Sequence, residues 1–134
     1  MQLDNGEYYI TDDSERVNIE TLKILLESSY WASTRSIDVI KTTIDNSVCF
    51  SVYKAKEQIG FGRVVTDYAT FGYIADVIID TEHKGNGIGK WLMDVIVNDE
   101  RWKGKFLMLA TDDAHSLYKK YGFQGSTKLM STKI

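Results

Sequence analysis

Residues 73–98 read YIADVIIDTEHKGNGIGKWLMDVIVN, and this stretch decides the fold. An apolar, β-type run ends at Asp80, three glycines follow at alternate positions, and an amphipathic helix pattern begins near Gly87. Glycine lets a backbone approach a ligand closely, and the free N–H groups at the start of a helix attract anions. The stretch therefore predicts a strand, a glycine loop and a helix arranged to hold a phosphate group.

The spacing of the glycines excludes two common phosphate motifs. Gly85, Gly87 and Gly89 spell G-x-G-x-G, whereas the dinucleotide motif requires G-x-G-x-x-G and the P-loop requires Ser or Thr after its lysine. The loop instead resembles the acyl-CoA signature [RQ]-x-x-G-x-[GA] of the GCN5-related N-acetyltransferase (GNAT) family. Lys84 stands where that family usually has Arg or Gln, so it keeps a positive charge without the planar fork of arginine.

A second motif strengthens the resemblance. Residues 114–123 read AHSLYKKYGF and resemble the GNAT segment A-x-x-[LF]-Y-x-x-x-G-F through Ala114, Leu117, Tyr118, Gly122 and Phe123. The two motifs follow one another in the order of the family, and a strand pattern lies between them. The resemblance spans Val48 to Phe123.

The resemblance implies an α/β (α+β) fold. We expect a mixed, mostly antiparallel sheet of six to seven strands, flanked by about four helices, with the acyl-CoA site at a splayed central strand pair. The hydrophobic periods give the order β, α, α, β, β, β, α, β, α, β. In this order residues 106–110 form a strand buried on both faces, and residues 123–131 form the strand that closes the sheet. We expect residues 1–134 to form a single domain.

Composition narrows the function classes. The formal net charge of −3 provides no overall field toward nucleic acid or anionic membranes, so neither is expected as a partner. The chain starts without a signal-peptide pattern and has no apolar run near the ~20 residues of a membrane span, so a cytoplasmic location is expected. Cys49 lies in an apolar strand pattern and is expected to be an inert core thiol. No Cys/His pair has metal-site spacing, so no metal is expected.

By resemblance, one set of residues binds acetyl-CoA. N–H groups from Gly85 to Lys90 would hold the pyrophosphate, and an N–H near Val77 or Ile78 would face the thioester carbonyl. Many family members have Asn where this chain has Thr111. The expected cofactor-binding residues are Val77, Ile78, Ile79, Lys84, Gly85, Asn86, Gly87, Ile88, Gly89, Lys90 and Thr111.

The catalytic assignments leave alternatives open. Tyr118 holds the family position of the general acid that protonates the CoA thiolate, although it could instead only pack beside its neighbours. Asp76 interrupts an apolar strand, so it is either a general base with a raised pKa or an ion-paired structural residue. Asp67 and Glu27 are weaker candidates for the base.

Tyr30 and Trp31 lie between two helix patterns. By resemblance that link covers the acceptor entrance, so both would face the substrate; alternatively they hold the two helices together.

The expected activity is transfer of the acetyl group of acetyl-CoA to a primary amine, by direct attack in a ternary complex. The acceptor would be a small-molecule amine, of cationic type, or a peptide amine, and a homodimer is an expected assembly because dimers are common in the family. The alternatives are a non-catalytic acyl-CoA-binding or regulatory module and a nucleotide-binding oxidoreductase fragment, which the early hairpins disfavour.

Overall fold

The computed structural model describes residues 1–133, and the strands found in this range belong to one six-stranded sheet. They are Gln2–Asp4 (β1), Tyr9–Thr11 (β2), Val48–Lys54 (β3), Glu57–Thr66 (β4), Phe71–Ile79 (β5) and Phe106–Met108 (β6). The helices are Ile19–Glu27 (α1), Ile37–Asp45 (α2), Ile88–Val97 (α3) and His115–Lys119 (α4). Short 3₁₀ turns occupy Ser14–Arg16 and Thr81–His83. This mixed sheet with its helices confirms the predicted fold class.

The strands lie in the sheet in chain order, from β1 to β6. The first four pairings are antiparallel, and β5 and β6, which are connected through α3, run parallel. A parallel pair needs a long crossover, which the glycine loop and α3 provide. The antiparallel meander from β3 to β5 agrees with the hairpins read from the sequence.

Helices cover both faces of the sheet, and each face has its own apolar cluster. Strand β3 contributes to both clusters, because its side chains alternate between the two faces: Phe50 belongs to one cluster and Cys49 to the other. The first cluster includes Leu92 and Ile96 of α3 together with Trp102. The second includes side chains of α1 and α2. The sheet is therefore a central layer between α3 and the α1–α2 pair.

Two irregularities in β5 shape the functional site. Pairing with β6 covers only Phe71–Tyr73, so from Ile74 to Ile79 the edge of β5 has no partner in β6. Pairing with β4 also shifts by one residue, because Arg63 pairs with Ala75 but Phe61 pairs with Ile78. Asp76 and Val77 thus face a single residue of β4 and form a β-bulge.

Two expectations about the end of the sheet were wrong. Within the described part of the chain, residues 123–133 contain no strand, because this polar segment lacks apolar alternation and its Leu129 and Met130 are exposed. The sixth strand of the sheet is instead β1, at the amino terminus. Since no strand follows β6 within residues 109–133, residues 106–108 form an edge strand and Phe106 is 55% exposed, so this strand is not buried on both faces.

None of the helices within residues 1–133 combines the length and the apolar character that a membrane crossing requires.

Candidate active site

A cavity of about 470 Å³ opens where β5 and β6 part. Its walls come from the segment between α1 and α2, from the bulge of β5, and from the chain between β6 and α4. Six residues singled out from the sequence line this cavity together: Tyr30, Trp31, Asp76, Val77, Thr111 and Tyr118. They are up to 88 positions apart in the chain, and the fold brings them to one place.

The bulge exposes backbone to the cavity. Asp76 has φ +54°, a left-handed conformation that costs a residue with a Cβ free energy and that Asp tolerates better than most. The strand alternation changes here, so Asp76 is buried and both Val77 and Ile78 are half-buried. Asp76 and Val77 have no register partner in β4, and β6 ends before them, so the bulge places the backbone of Val77 beside the cavity.

The Asp76 carboxylate is bound by three side chains. Oδ2 accepts from Arg35 at 2.5 Å and from Arg63 at 2.7 Å, and Oδ1 accepts from the indole N–H of Trp31 at 2.9 Å. Burial raises the pKa of this carboxyl, but the hydrogen bonds and charges of Arg63 and Arg35 outweigh burial, so the pKa of Asp76 lies below its usual value.

Of the two alternatives for Asp76, the lowered pKa argues against a general base, which would need a raised pKa. A carboxylate held ionised by two guanidinium groups is a poor proton acceptor. The contacts match the alternative, an ion-paired structural residue. Asp67 is also unsuited, because its carboxylate accepts from the hydroxyl and N–H of Thr70 and its pKa is lowered; neither Asp67 nor Glu27 lines the cavity.

Tyr118 lies on α4 and forms part of the cavity wall. Its ring packs edge-to-face on Phe123, with ring centroids 6.2 Å apart, and contacts the apolar cluster of α3. Burial, together with the neighbouring Tyr30, Asp113 and Tyr121, raises the pKa of Tyr118. The hydroxyl therefore stays protonated at neutral pH and can donate, so packing and proton donation are compatible roles for this residue.

The glycine loop lies at the far end of β5. Gly85 and Gly87 have φ of +88° and +74°, so the loop requires glycine at both positions. The first backbone bond of α3 runs from the Trp91 N–H to the Gly87 carbonyl, 3.0 Å, which leaves the N–H groups of residues 88–90 without a helical acceptor. Added Cβ atoms at Gly85 or Gly87 would meet nothing within 4 Å, so open space lies in front of the loop.

The lysine side chains around the loop are exposed, whereas the apolar side chains are wholly or partly buried. Lys84 is exposed at the start of the loop, while Lys90 forms an exposed ion pair with Asp94, 3.2 Å apart, one helical turn later. Asn86 donates its amide to the His83 carbonyl at 3.3 Å and so shapes the turn. Ile79 and Ile88 are buried and can offer a ligand only their backbone. Ile78 is half-buried and packs against the cluster on the α1–α2 side.

Tyr30 and Trp31 line the cavity and also make contacts that hold their own segment in place. Their rings pack edge-to-face, 5.1 Å between centroids, and both are exposed at the cavity. The Trp31 indole also reaches Asp76, and the Tyr30 hydroxyl accepts from the Asp112 N–H at 3.0 Å. They therefore bind their own segment to the bulge and to the chain after β6, while their rings face the entrance.

Thr111 lines the cavity, but its hydroxyl already has partners. Oγ1 accepts from the Ala114 N–H at 3.1 Å and lies 3.5 Å from Asp113 Oδ1. This arrangement organises the turn before α4. A contact with CoA would have to share the hydroxyl with that turn.

Sequence reasoning missed the two arginines of the cavity. Arg63 could have been found, because a charged residue inside an apolar strand pattern indicates a buried partner. Arg35 gave no such signal, since it lies in a polar link between helices. Among residues 1–133, no group of three or more His, Cys, Asp or Glu side chains is arranged to hold a metal ion.

The protein-family model described as an acetyltransferase (GNAT) domain matches residues 45–125 of this chain. The chain belongs to the GNAT family. A solved structure from Xanthomonas campestris pv. campestris, assigned by name to GNAT acetyltransferases, is 33% identical, covers 95% of this chain and 93% of its own, and superimposes with a TM-score of 0.89.

Two sequence relatives agree with the GNAT assignment. A Gibberella zeae protein named as an acetyltransferase is 27% identical over 89% of this chain and 80% of its own length. The ycf52 protein of Gracilaria tenuistipitata var. liui, named as an uncharacterised N-acetyltransferase, is 33% identical over 80% of this chain and 62% of its own length. GNAT membership supports acetyl transfer as the general activity.

The donor groups present fit acetyl-CoA. The N–H groups at the start of α3 suit an anionic pyrophosphate, and the space in front of Gly85 and Gly87 is open to it. The unpaired edge of β5 between Ile74 and Ile79 offers backbone donors and acceptors to an amide-containing arm. This edge connects the glycine loop with the cavity.

Proposed function

We propose that this GNAT domain transfers the acetyl group of acetyl-CoA to a primary amine by direct attack in a ternary complex. One observation carries the proposal: the unpaired edge of β5 leads from the glycine loop to a cavity that is lined by the bulged backbone of Val77 and by a protonated tyrosine. When bound, acetyl-CoA supplies an activated thioester carbonyl. This chain would supply the groups that bind acetyl-CoA, the hydrogen-bond donor for the oxyanion, and the proton for the leaving thiolate.

The groups that bind acetyl-CoA would come from the backbone rather than from side chains. N–H groups of residues 85–90 would donate to phosphate oxygens, and the positive end of the α3 dipole would add to their attraction. Lys84 would contribute charge at long range. Lys90 would contribute less, since Asp94 lies beside it.

The Val77 N–H would donate to the carbonyl oxygen as negative charge develops on it. Val77 has no register partner in β4, and the bulge would turn its N–H toward the cavity. One donor of this kind is typically worth about 3 kcal/mol of barrier.

Tyr118 would protonate the thiolate that leaves. A thiol has a pKa of about 8.5 and tyrosine an ordinary pKa of about 10, so complete transfer of the proton from tyrosine to the thiolate is uphill by about 2 kcal/mol, and solvent would then return a proton to the tyrosine. The raised pKa of Tyr118 keeps the proton on the hydroxyl until thiolate forms. Cys49 is not expected to form an acyl-enzyme, because it is buried and burial raises its pKa to about 12.

The amine would lose its proton to water at the cavity mouth, since Asp76 is occupied by arginines. Glu27 and Asp67 do not line the cavity and Asp76 is paired with two arginines, so these three carboxylates would not recognise a cationic acceptor. We retain a small-molecule or peptide amine as the acceptor, recognised by the rings of Tyr30 and Trp31. A cytoplasmic location, a homodimer, and the absence of nucleic-acid and membrane partners stay predictions from the sequence.

The test is release of free thiol from acetyl-CoA, with and without a panel of polyamines, amino sugars, amino acids and lysine peptides. Release that depends on one class of amine supports the proposal and names the acceptor class. Calorimetric binding of acetyl-CoA without release for any amine would favour the alternative, a non-catalytic acyl-CoA-binding or regulatory module. Absence of binding would refute both.

A further inference from the structure

Asp76 combines three features that are costly separately. It is 7% exposed, it is ionised, and its backbone is left-handed at φ +54°. Burial of a charge and a strained backbone each cost free energy, and they persist where the surrounding structure enforces them. The contacts of the carboxylate therefore indicate the role of this residue.

Those contacts join three separate parts of the chain. Trp31 and Arg35 belong to the link between α1 and α2, which forms one cavity wall. Arg63 belongs to β4, and its guanidinium also donates to the Ser47 hydroxyl at 3.0 Å, which fixes its direction. The carboxylate thus ties the acceptor side of the cavity to the bulge that carries the Val77 N–H.

We propose that Asp76 is a positioning residue: it holds the bulge so that the Val77 N–H faces the cavity, and it holds Trp31 against the acceptor entrance. This inference rests on the proposed function. It assigns Asp76 no proton transfer at any step. Its effect on the reaction passes through the backbone of Val77 and through the indole of Trp31.

The variant Asp76→Asn separates positioning from base catalysis. Asn tolerates the left-handed backbone and keeps the size of the side chain, but it removes the charge and offers an amide toward two guanidinium groups. We expect kcat to fall about 10- to 100-fold, the dissociation constant of acetyl-CoA to change less than about twofold, and the pH midpoint of kcat/KM to stay at the wild-type value. A matched control, Asp38→Asn, changes an exposed aspartate on α2 and should behave as wild type.

A readout that needs no activity is amide hydrogen exchange at Ile78, which pairs with Phe61 directly beside the bulge, followed by NMR. If Asp76 holds the bulge, exchange at Ile78 should be about tenfold faster in Asp76→Asn, while Leu92 in the core of α3 keeps its protection. The milder variant Arg35→Lys, which keeps the charge but removes the fork, should show the same changes at smaller size and guards against a misfolded first variant.

The outcomes separate the hypotheses. Loss of the acid limb of the pH profile in Asp76→Asn, with unchanged exchange at Ile78, would overturn positioning and restore the general base. If the wild-type protein transfers acetyl to no amine, the proposed function fails. In that case the exchange at Ile78 still decides whether Asp76 holds the bulge.

Discussion

Replacing Gly87 with alanine tests whether the glycine loop holds the phosphates of acetyl-CoA. Gly87 has φ +74°, and a Cβ placed there would meet no protein atom within 4 Å. In the free protein only the backbone cost remains, which is about 1–2 kcal/mol for a left-handed residue other than glycine. We therefore expect Gly87→Ala to lower the free energy of unfolding by this amount without disturbing the packing.

Binding of CoA should suffer an additional loss. The new methyl group would occupy the space through which phosphate oxygens approach the N–H groups of residues 88–90. A hydrogen bond to a charged acceptor is worth about 1.5–3 kcal/mol. Loss of one such bond raises the dissociation constant of CoA about 10- to 100-fold. Titration calorimetry measures the binding, and urea unfolding measures the stability.

Gly104→Ala is the matched control. Gly104 has φ +79°, its Cβ would also meet nothing within 4 Å, and it lies between α3 and β6, at the opposite end of α3 from the loop. It should lose the same stability and bind CoA like the wild type. If Gly87→Ala and Gly104→Ala bind CoA equally well, the loop does not hold the phosphates and the reasoning is refuted.

Four further predictions follow from the same structure. Tyr118→Phe should lower turnover about tenfold or more and leave acetyl-CoA affinity unchanged; an unaltered rate removes Tyr118 from the mechanism. Tyr8→Phe removes the 3.0 Å contact of the Tyr8 hydroxyl with His83 Nδ1, which precedes the glycine loop, so it should raise KM for acetyl-CoA a few-fold at constant kcat; an equal loss of kcat would contradict this. Cys49, with its pKa raised to about 12 by burial, should react with Ellman's reagent only after unfolding in urea. Because the pKa of Asp76 is lowered on folding, the stability that it contributes is present above about pH 3.8 and is lost as pH falls through the lower, folded value; the difference in unfolding free energy between wild type and Asp76→Asn should shrink accordingly between pH 7 and pH 2.

The sequence predicted the parts of the site that depend on local patterns. The run from residue 73 to 98 specified a strand, a loop and a helix, because glycine spacing and apolar period are both local signals. The motif around Tyr118 placed that residue in the correct cavity once the GNAT resemblance was accepted. The strands at the end of the sheet were harder to predict from the sequence. A strand forms only where it can pair with the edge of another strand, and that depends on the whole fold.

The role of Asp76 shows where local reasoning reaches its limit. A carboxylate in an apolar strand is expected to be desolvated, and desolvation alone raises its pKa. The two arginines that reverse the direction of the pKa shift lie 41 and 13 positions away in the chain, so no residue close to Asp76 in the sequence indicates that they bind it. A charged pair at this depth interacts far more strongly than at the surface, which is why two close guanidinium groups can outweigh burial. The same sequence pattern is therefore compatible with a general base, where the buried carboxylate has no charged partner, and with a structural residue, where arginines bind it. Only the tertiary contacts distinguish the two cases.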